Sequence, residues 1–537
     1  MSGSMFRPTL RAAVWLASLS SIVAFLILAS RRVFYPLELD YIEGVMMDHV
    51  VRLAQGRPIY VAPSLDFITL AYMPGFATLS SLLARAFGPA FWEPRLVSLV
   101  AMSINAALVA RILWLETRDR TVAIAGAGLL ISAFGVTGGH YDVGRPDSLM
   151  LCLALSGLFV LRFTRRLPGA LLSAFLLTLA FFTKQHAAWF VVAALFHLAL
   201  SDRLRLWVFF ATALVGCVGG YFALRAWLGP WFSFFTWEIP SHWSQLDKVR
   251  ILNYVGHGLF GTLGVLTIAS ILSLALPDRP WEGPRGVWWW AALGAVCTGF
   301  MATLDPDAFR HVINPTVVMF SVLGPLTLWM VSGHIASWPD GSEGSRAVRS
   351  SVLYALLLVQ FLPMAYSLHE QRPHPRGEDA HTVLMERIKA WPGPVLMLYH
   401  GFYAWQAGKG TALHQITLDD IARARGNWLL RKDPAFLDRL FAPLRSGPNR
   451  PMIITDVALD RSGSESNRWW REVAQSYRMA DTLGWERAAL NPVNGNHWTP
   501  HFVYLPVVAG TGGVAAPDTA AASHVAVASP PGGRPSR

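Results

Sequence analysis

The chain has 537 residues, of which 53% are hydrophobic, 12% aromatic and only 15% charged. Soluble domains carry roughly 25% charged residues, so composition excludes an ordinary soluble enzyme, and with it a disordered chain, a collagen or a coiled coil. The formal net charge of +11 sits mainly in arginines beside long apolar blocks, the distribution of the positive-inside rule and not that of a nucleic-acid binder.

In chain order, Arg7 and Arg11 precede an apolar run over 12–30. The stretch Arg31-Arg32-Val33-Phe34-Tyr35-Pro36 after it has no small-residue cleavage site, which predicts an uncleaved first span with a cytoplasmic N-terminus. Further spans are expected near 96–115, 121–137, 147–163, 168–183, 185–201, 204–228, 251–276, 287–304, 312–332 and 350–368. That makes about eleven transmembrane helices, several shorter than the roughly 20 apolar residues of a full crossing. Segment 76–90 carries Arg85 and is too short to span; it predicts an amphipathic helix on the membrane surface. Counting it as a span would invert every later connection, moving Arg111, Arg118, Arg120, Arg162, Arg165 and Arg166 to the outer side.

The expected fold is therefore an all-α polytopic membrane domain over 1–368, with 31–95 as a first outer loop carrying juxtamembrane helices. Beyond 369 the apolar runs shorten. Val395-Leu396-Met397-Leu398-Tyr399 and Met452-Ile453-Ile454-Thr455 read as buried strands, with helical patterns at 417–430 and 434–444. A small extracytoplasmic α/β domain over 369–508 follows, and the Ala-, Gly-, Pro- and Ser-rich tail 509–537 is expected to be disordered. Cys152, Cys217 and Cys297 lie within apolar blocks and offer neither a disulfide framework nor a CxxC metal site.

With this topology the polar residues gather at the outer ends of the spans, where ionisable groups at membrane depth imply a hydrated cavity. The first outer loop supplies Glu38, Asp40 and Glu43, and Tyr72 follows before the surface helix. The next outer turns bring His140, Asp142, Arg145 and Asp147, then Lys184 and His186, then His242 and Arg310. Asp40 and Glu43 share a helix face if the segment is helical, and paired carboxylates can divide into an ionised base and a hydrogen-bonding partner; the same spacing also fits a capping box. Arg145 and Lys184 suit a phosphate, the first as a fork and the second as a point charge, although Arg145 can also pair with Asp142 or Asp147. The histidines and Asp305-Pro306-Asp307 lack the tight spacing of a metal motif, and no Walker A or GxGxxG loop is present. No cofactor is expected, and the donor that such a cavity suggests is one already attached to lipid.

These residues resemble the glycosyltransferase C superfamily, in particular bacterial membrane glycosyltransferases related to protein O-mannosyltransferases and lipid A aminoarabinose transferases. The resemblance rests on the acidic first loop with Glu38, Asp40, Glu43 and Gly44, on Tyr72-Met73-Pro74, on Arg145-Pro146-Asp147-Ser148-Leu149 as an Arg-x-Asp stretch, and on Phe182-Thr183-Lys184-Gln185 as a Thr-Lys motif. It covers about residues 10–330. The acids depart from the adjacent Asp-Glu common in relatives. The resemblance implies a polyprenyl-phosphate-linked sugar donor, a cell-envelope glycan, lipid or protein acceptor, a bacterial inner-membrane location and inverting transfer at the outer face. Asp40 or Glu43 would be the base, and Lys184 and Arg145 the phosphate ligands. Two alternatives remain open: a ligase or polymerase of lipid-linked oligosaccharides, and a non-enzymatic flippase.

Overall fold

The computed structural model describes residues 3–243, 247–276, 279–305, 308–336, 343–461, 464–495 and 497–507. Tail 509–537 and Asp307 lie outside these residues. All eleven apolar segments predicted from the sequence are helical, some of them interrupted. They begin with α1 (Gly3–Val33), α4 (Trp92–Thr117), α5 (Arg120–Ser132), α6 (Asp147–Phe163), α7 (Leu167–Thr183) and α8 (Ala188–Ser201). Among the described residues four helices are both long and apolar enough to cross a membrane, and a bent pair, Lys248–Thr262 with Gly264–Ser273, turns by 88°. α5, α7 and α8 are shorter apolar helices. The chain is a multi-pass membrane protein. Its outer belt exposes Leu16, Val23, Phe175, Phe196, Trp207 and Phe222, an apolar surface that only lipid covers without aggregation.

Segment 76–90 forms α3 (Gly75–Phe87), with Arg85 in its last turn. Its face with Phe76, Ala77, Ser80 and Ala84 is buried, whereas Leu79, Leu82 and Phe87 are exposed, the two-sided pattern of a helix lying at an interface. α2 (Ile42–Ala54) precedes it and is buried from Ile42 to Val51.

The C-terminal region contains a four-stranded sheet in the order β1-β2-β4-β3. β1 (Val395–Met397) and β2 (Met452–Thr455) are parallel; β4 (Phe502–Pro506) runs antiparallel to β2 and to β3 (Tyr477–Thr482). β1 and β2 are wholly buried, as continuous apolar runs require, with helices such as Gln415–Arg423 and Phe436–Ser446 around them. The segment 31–95 and this region share one core. Leu37, Met47, Val50 and Phe91 pack with Leu384, Val395, Met397, Phe402 and Ile454. A second shared cluster joins Ile59, Tyr60 and Phe67 to Leu396, Leu413, Ile453 and Trp470.

Candidate active site

Two groups of buried charges lie at opposite ends of the helices. At one end Glu116 accepts from Arg162 (2.6 Å), Arg285 (3.0 Å) and Trp288 (3.0 Å), tying α4, α6 and helix Gly286–Thr303 together. At the other end of α6 sits Asp147, its first residue, and most of the predicted site residues gather there.

Asp40 lies just before α2 and is fully buried. Its Oδ2 accepts from Arg145 Nη1 at 2.9 Å, while Oδ1 stands 3.8 Å from His140 Nε2 and has no hydrogen-bond partner among the described residues. Burial alone would raise the Asp40 carboxyl, but Arg145 and His140 outweigh it and hold the group below its ordinary value, hence ionised. Gly138 and Gly139, at φ of +82° and +73°, form the left-handed turn that brings His140 and Arg145 back toward Asp40.

Glu43 has the same burial and a different environment. It accepts from Arg95 Nε (2.8 Å) and Nη2 (2.6 Å), from the Leu39 amide (2.7 Å) and from the Gly144 amide (2.7 Å). Both oxygens are thus engaged twice. The capping-box reading is half met: the Glu43 side chain reaches back to a backbone amide, but to that of Leu39, and Tyr41, not Asp40, occupies the cap position, with no side-chain capping bond to the helix amides. Asp142 is likewise a strut, bound through both oxygens by Arg32 at 2.8 and 3.0 Å.

Glu38 points away from this centre. It binds His400 Nδ1, and His400 Nε2 meets Asp456 at 3.1 Å. Burial works against the imidazolium, but the two carboxylates raise His400 to about 10. Beside it Asp48 is buried with neither oxygen partnered among the described residues, and burial pushes its carboxyl well above the ordinary value. Glu38 therefore locks the first loop onto the C-terminal region.

Lys184, at the end of α7, donates to Asp147 at 2.8 Å and lies 5.6 Å over the Tyr72 ring. Tyr72, Arg145, Lys184, His186 and His311 line one narrow cleft, which Trp243, Asp305 and, from the C-terminal region, Ile416 and Asp420 complete. Asp40 is one residue from the cleft wall at Tyr41. Arg145 keeps Nε without an acceptor among the described residues and has Nη2 3.5 Å from His311; Lys184 engages one of its three donors on Asp147. Both cations thus retain donors for an incoming anion.

His242 and Arg310 stand apart. His242 lies against Gly426 of the C-terminal region. Arg310 lines a larger cavity of about 580 Å³ with Arg250, His257, Tyr254, Phe309 and Ile313; Ala308 belongs to the walls of both this cavity and the cleft. His140 and His311 approach each other with rings 5.2 Å apart. Sequence reasoning missed Arg95 and Arg32, which look like interfacial arginines, and His400 and Asn494, which lie in a region where the motifs run out.

Residues 73–227 match the dolichyl-phosphate-mannose-protein mannosyltransferase family; this stretch contains Arg145, Asp147 and Lys184 but not Asp40. No curated protein sequence matches the chain. Among solved structures, ArnT from Cupriavidus metallidurans in the apo state is similar with a TM-score of 0.57 at 12% identity, over 92% of this chain and 98% of that one. The same protein bound to undecaprenyl phosphate gives 0.56 at 14% identity over the same shares. Archaeal oligosaccharyltransferase AglB from Archaeoglobus fulgidus, in complex with an inhibitory peptide and a dolichol-phosphate, gives 0.50 at 10% identity, over 84% of this chain and 69% of that one. In fold the chain is similar to ArnT, and over 73–227 it matches the mannosyltransferase family.

Proposed function

We propose that the chain is a polyprenyl-phosphate-dependent glycosyltransferase that moves a sugar to an acceptor hydroxyl at the outer membrane face, with inversion. In this reading all eleven helical segments are crossings, with the N-terminus cytoplasmic and residues 369–508 extracytoplasmic. One observation carries the proposal. Two cations with spare donors, Arg145 and Lys184, line one cleft, and an ionised carboxylate with a spare oxygen, Asp40, pairs with the first of them from a distant segment, next to the cleft wall at Tyr41.

The chemistry requires little more. Asp40 Oδ1 takes the proton of the acceptor hydroxyl as that oxygen bonds to the anomeric carbon; the bond from that carbon to the phosphate oxygen breaks, and its electron pair leaves with the lipid phosphate. Charge grows on the phosphate in the transition state, where Lys184 and Arg145 stabilise it. A phosphate leaving group needs no acid, so a single carboxylate suffices. The larger cavity beside the cleft, lined by Tyr254, Phe309 and Ile313, suits the first isoprene units. Glu43 serves as the strut that holds Asp40's segment. The undecaprenyl phosphate bound to ArnT and the dolichol-phosphate bound to AglB accord with a lipid-phosphate donor.

The test is release of undecaprenyl phosphate from a panel of radiolabelled undecaprenyl-phosphate-linked sugars, with source membranes as acceptor. Asp40→Asn should lower the rate by about 10²–10⁴-fold, the usual share of a general base. Lys184→Met should weaken retention of undecaprenyl phosphate itself. Undiminished release by Asp40→Asn removes it as the base.

A further inference from the structure

The pocket around Asp40 is not built by the membrane-side segments alone. Asn494 and Gly495, in the connection between helix Trp485–Ala489 and β4, lie directly against it. The Asn494 amide donates to Leu39 O at 2.8 Å, and Asp40 and Asn494 pair as an isolated parallel bridge. The Asn494 side chain donates to Gly139 O at 2.7 Å, a carbonyl that also accepts from Arg32 at 3.0 Å. One residue thus joins the strand bearing the acid to the turn bearing His140 and Arg145. Asn494 is 2% exposed, and its Oδ1 has no partner among the described residues.

Gly495 completes the contact. Its φ of +71° favours glycine, and a Cβ there would collide with Asp40 Oδ1 while standing 3.1 Å from the Tyr41 ring. Arg145 fixes only the other oxygen of Asp40. Rotation about the terminal carboxylate bond is broad, so a single ion pair leaves Oδ1 free to swing. The flat backbone of Gly495 removes that freedom.

We propose that the C-terminal region completes the active site: Asn494 and Gly495 are positioning residues that fix the direction in which Asp40 Oδ1 meets the acceptor hydroxyl. The inference rests on Asp40 being the base. A misdirected base loses rate without losing donor affinity. Gly495→Ala and Asn494→Ala should therefore lower kcat by about 10- to 100-fold, with KM for the undecaprenyl-phosphate sugar unchanged. Asn494→Asp sets a like charge beside Asp40, which already faces Arg145 and His140, and favours its protonated form.

The experiment uses the full chain in lipid nanodiscs, with two readouts. The first is release of undecaprenyl phosphate by wild type, Asp40→Asn, Asn494→Ala and Gly495→Ala, alongside thermal unfolding. The second needs no substrate: modification of Asp40 by dicyclohexylcarbodiimide, which attacks protonated buried carboxyls, followed by peptide mass spectrometry across pH. The inference expects release at working temperature, where each variant is still folded, to be slowed at unchanged KM beyond what any lowering of the melting temperature accounts for, and labelling of Asp40 in Asn494→Asp that begins at higher pH than in wild type. Wild-type kcat in both alanine variants, with Asp40→Asn inactive, overturns the inference and leaves the function standing. Slowed release that merely follows a lowered melting temperature, with the labelling onset unmoved, also overturns it. Full activity in Asp40→Asn overturns both.

Discussion

Asp40 and Glu43 are three residues apart and equally buried, yet their oxygens have opposite fates. Glu43 is surrounded by Arg95 and two backbone amides; Asp40 keeps one oxygen unengaged among the described residues. Removing one partner of a buried, fully hydrogen-bonded pair strands a charge and costs about 3–5 kcal/mol. Arg95→Met and Glu43→Ala should each lower the unfolding free energy by that amount, whereas Asp40→Asn, isosteric and still able to accept from Arg145, should cost clearly less. Thermal unfolding in detergent separates the two classes. A stability loss in Asp40→Asn as large as that in Glu43→Ala would contradict the assignment of strut and base. The sequence shows both acids but not this division, because the deciding arginine lies 52 positions away from Glu43 and reads locally as the polar start of a span.

His400 gives a pH dependence at the same scale. Its imidazolium is favoured in the folded state, with the group raised from 6.5 to about 10 by Glu38 and Asp456 against the effect of burial. A raised value means that the stabilisation is complete below pH 6.5 and is lost as pH climbs through about 10. Thermal stability should therefore decline across that alkaline window, and His400→Gln should flatten the decline. An unchanged slope in the variant would show that His400 is not the titrating group.

At the scale of elements, the main finding is that α2 and the C-terminal sheet are one packed body. Phe402 meets Phe91 edge-on at 4.9 Å and is fully buried among Leu37, Met47 and Val50. Phe402→Ala should cost about 3–5 kcal/mol, and amide exchange should rise in α2 and β1 together. Exchange that rises in β1 while α2 stays protected would mean separate units. Part of this architecture was legible. Continuous apolar runs marked β1 and β2, and the short, Arg-interrupted segment marked α3. β3 was not, because five of its six residues are exposed and no alternation survives. The helical pattern over 417–430 is broken in the structure by Asn427, which caps the short helix Trp428–Lys432 with its side chain. The docking of the first loop onto the sheet was also hidden. Apolar residues such as Leu37 and Val50 advertise burial, but not the partner.

For the whole molecule, charge is buried at both ends of the helices but for different purposes. The Glu116 cluster is saturated by Arg162, Arg285 and Trp288, which suits a fastening. The Asp40, Arg145, Asp147 and Lys184 group balances two negative against two positive charges and still leaves donors and two acceptor oxygens, Asp40 Oδ1 and Asp147 Oδ2, unengaged among the described residues. A neutral but unsaturated group costs less to bury than isolated charges and can take up a phosphate and a hydroxyl in turn. Grouping polar residues by the outer ends of spans was enough to place Arg145, Lys184, Tyr72, His186 and Asp40 near one another. It could not separate Arg310 and His242, since membrane depth says nothing about position around the bundle.

The most direct measurement is an experimental structure of the full chain in nanodiscs with undecaprenyl phosphate. Phosphate density is expected within hydrogen-bond distance of Lys184 Nζ and the Arg145 guanidinium, with Asp40 Oδ1 facing the space beside it and the isoprenoid leaving past Tyr254 and Phe309. Phosphate seated elsewhere, with Arg145 and Lys184 still bound only to Asp40 and Asp147, would contradict it.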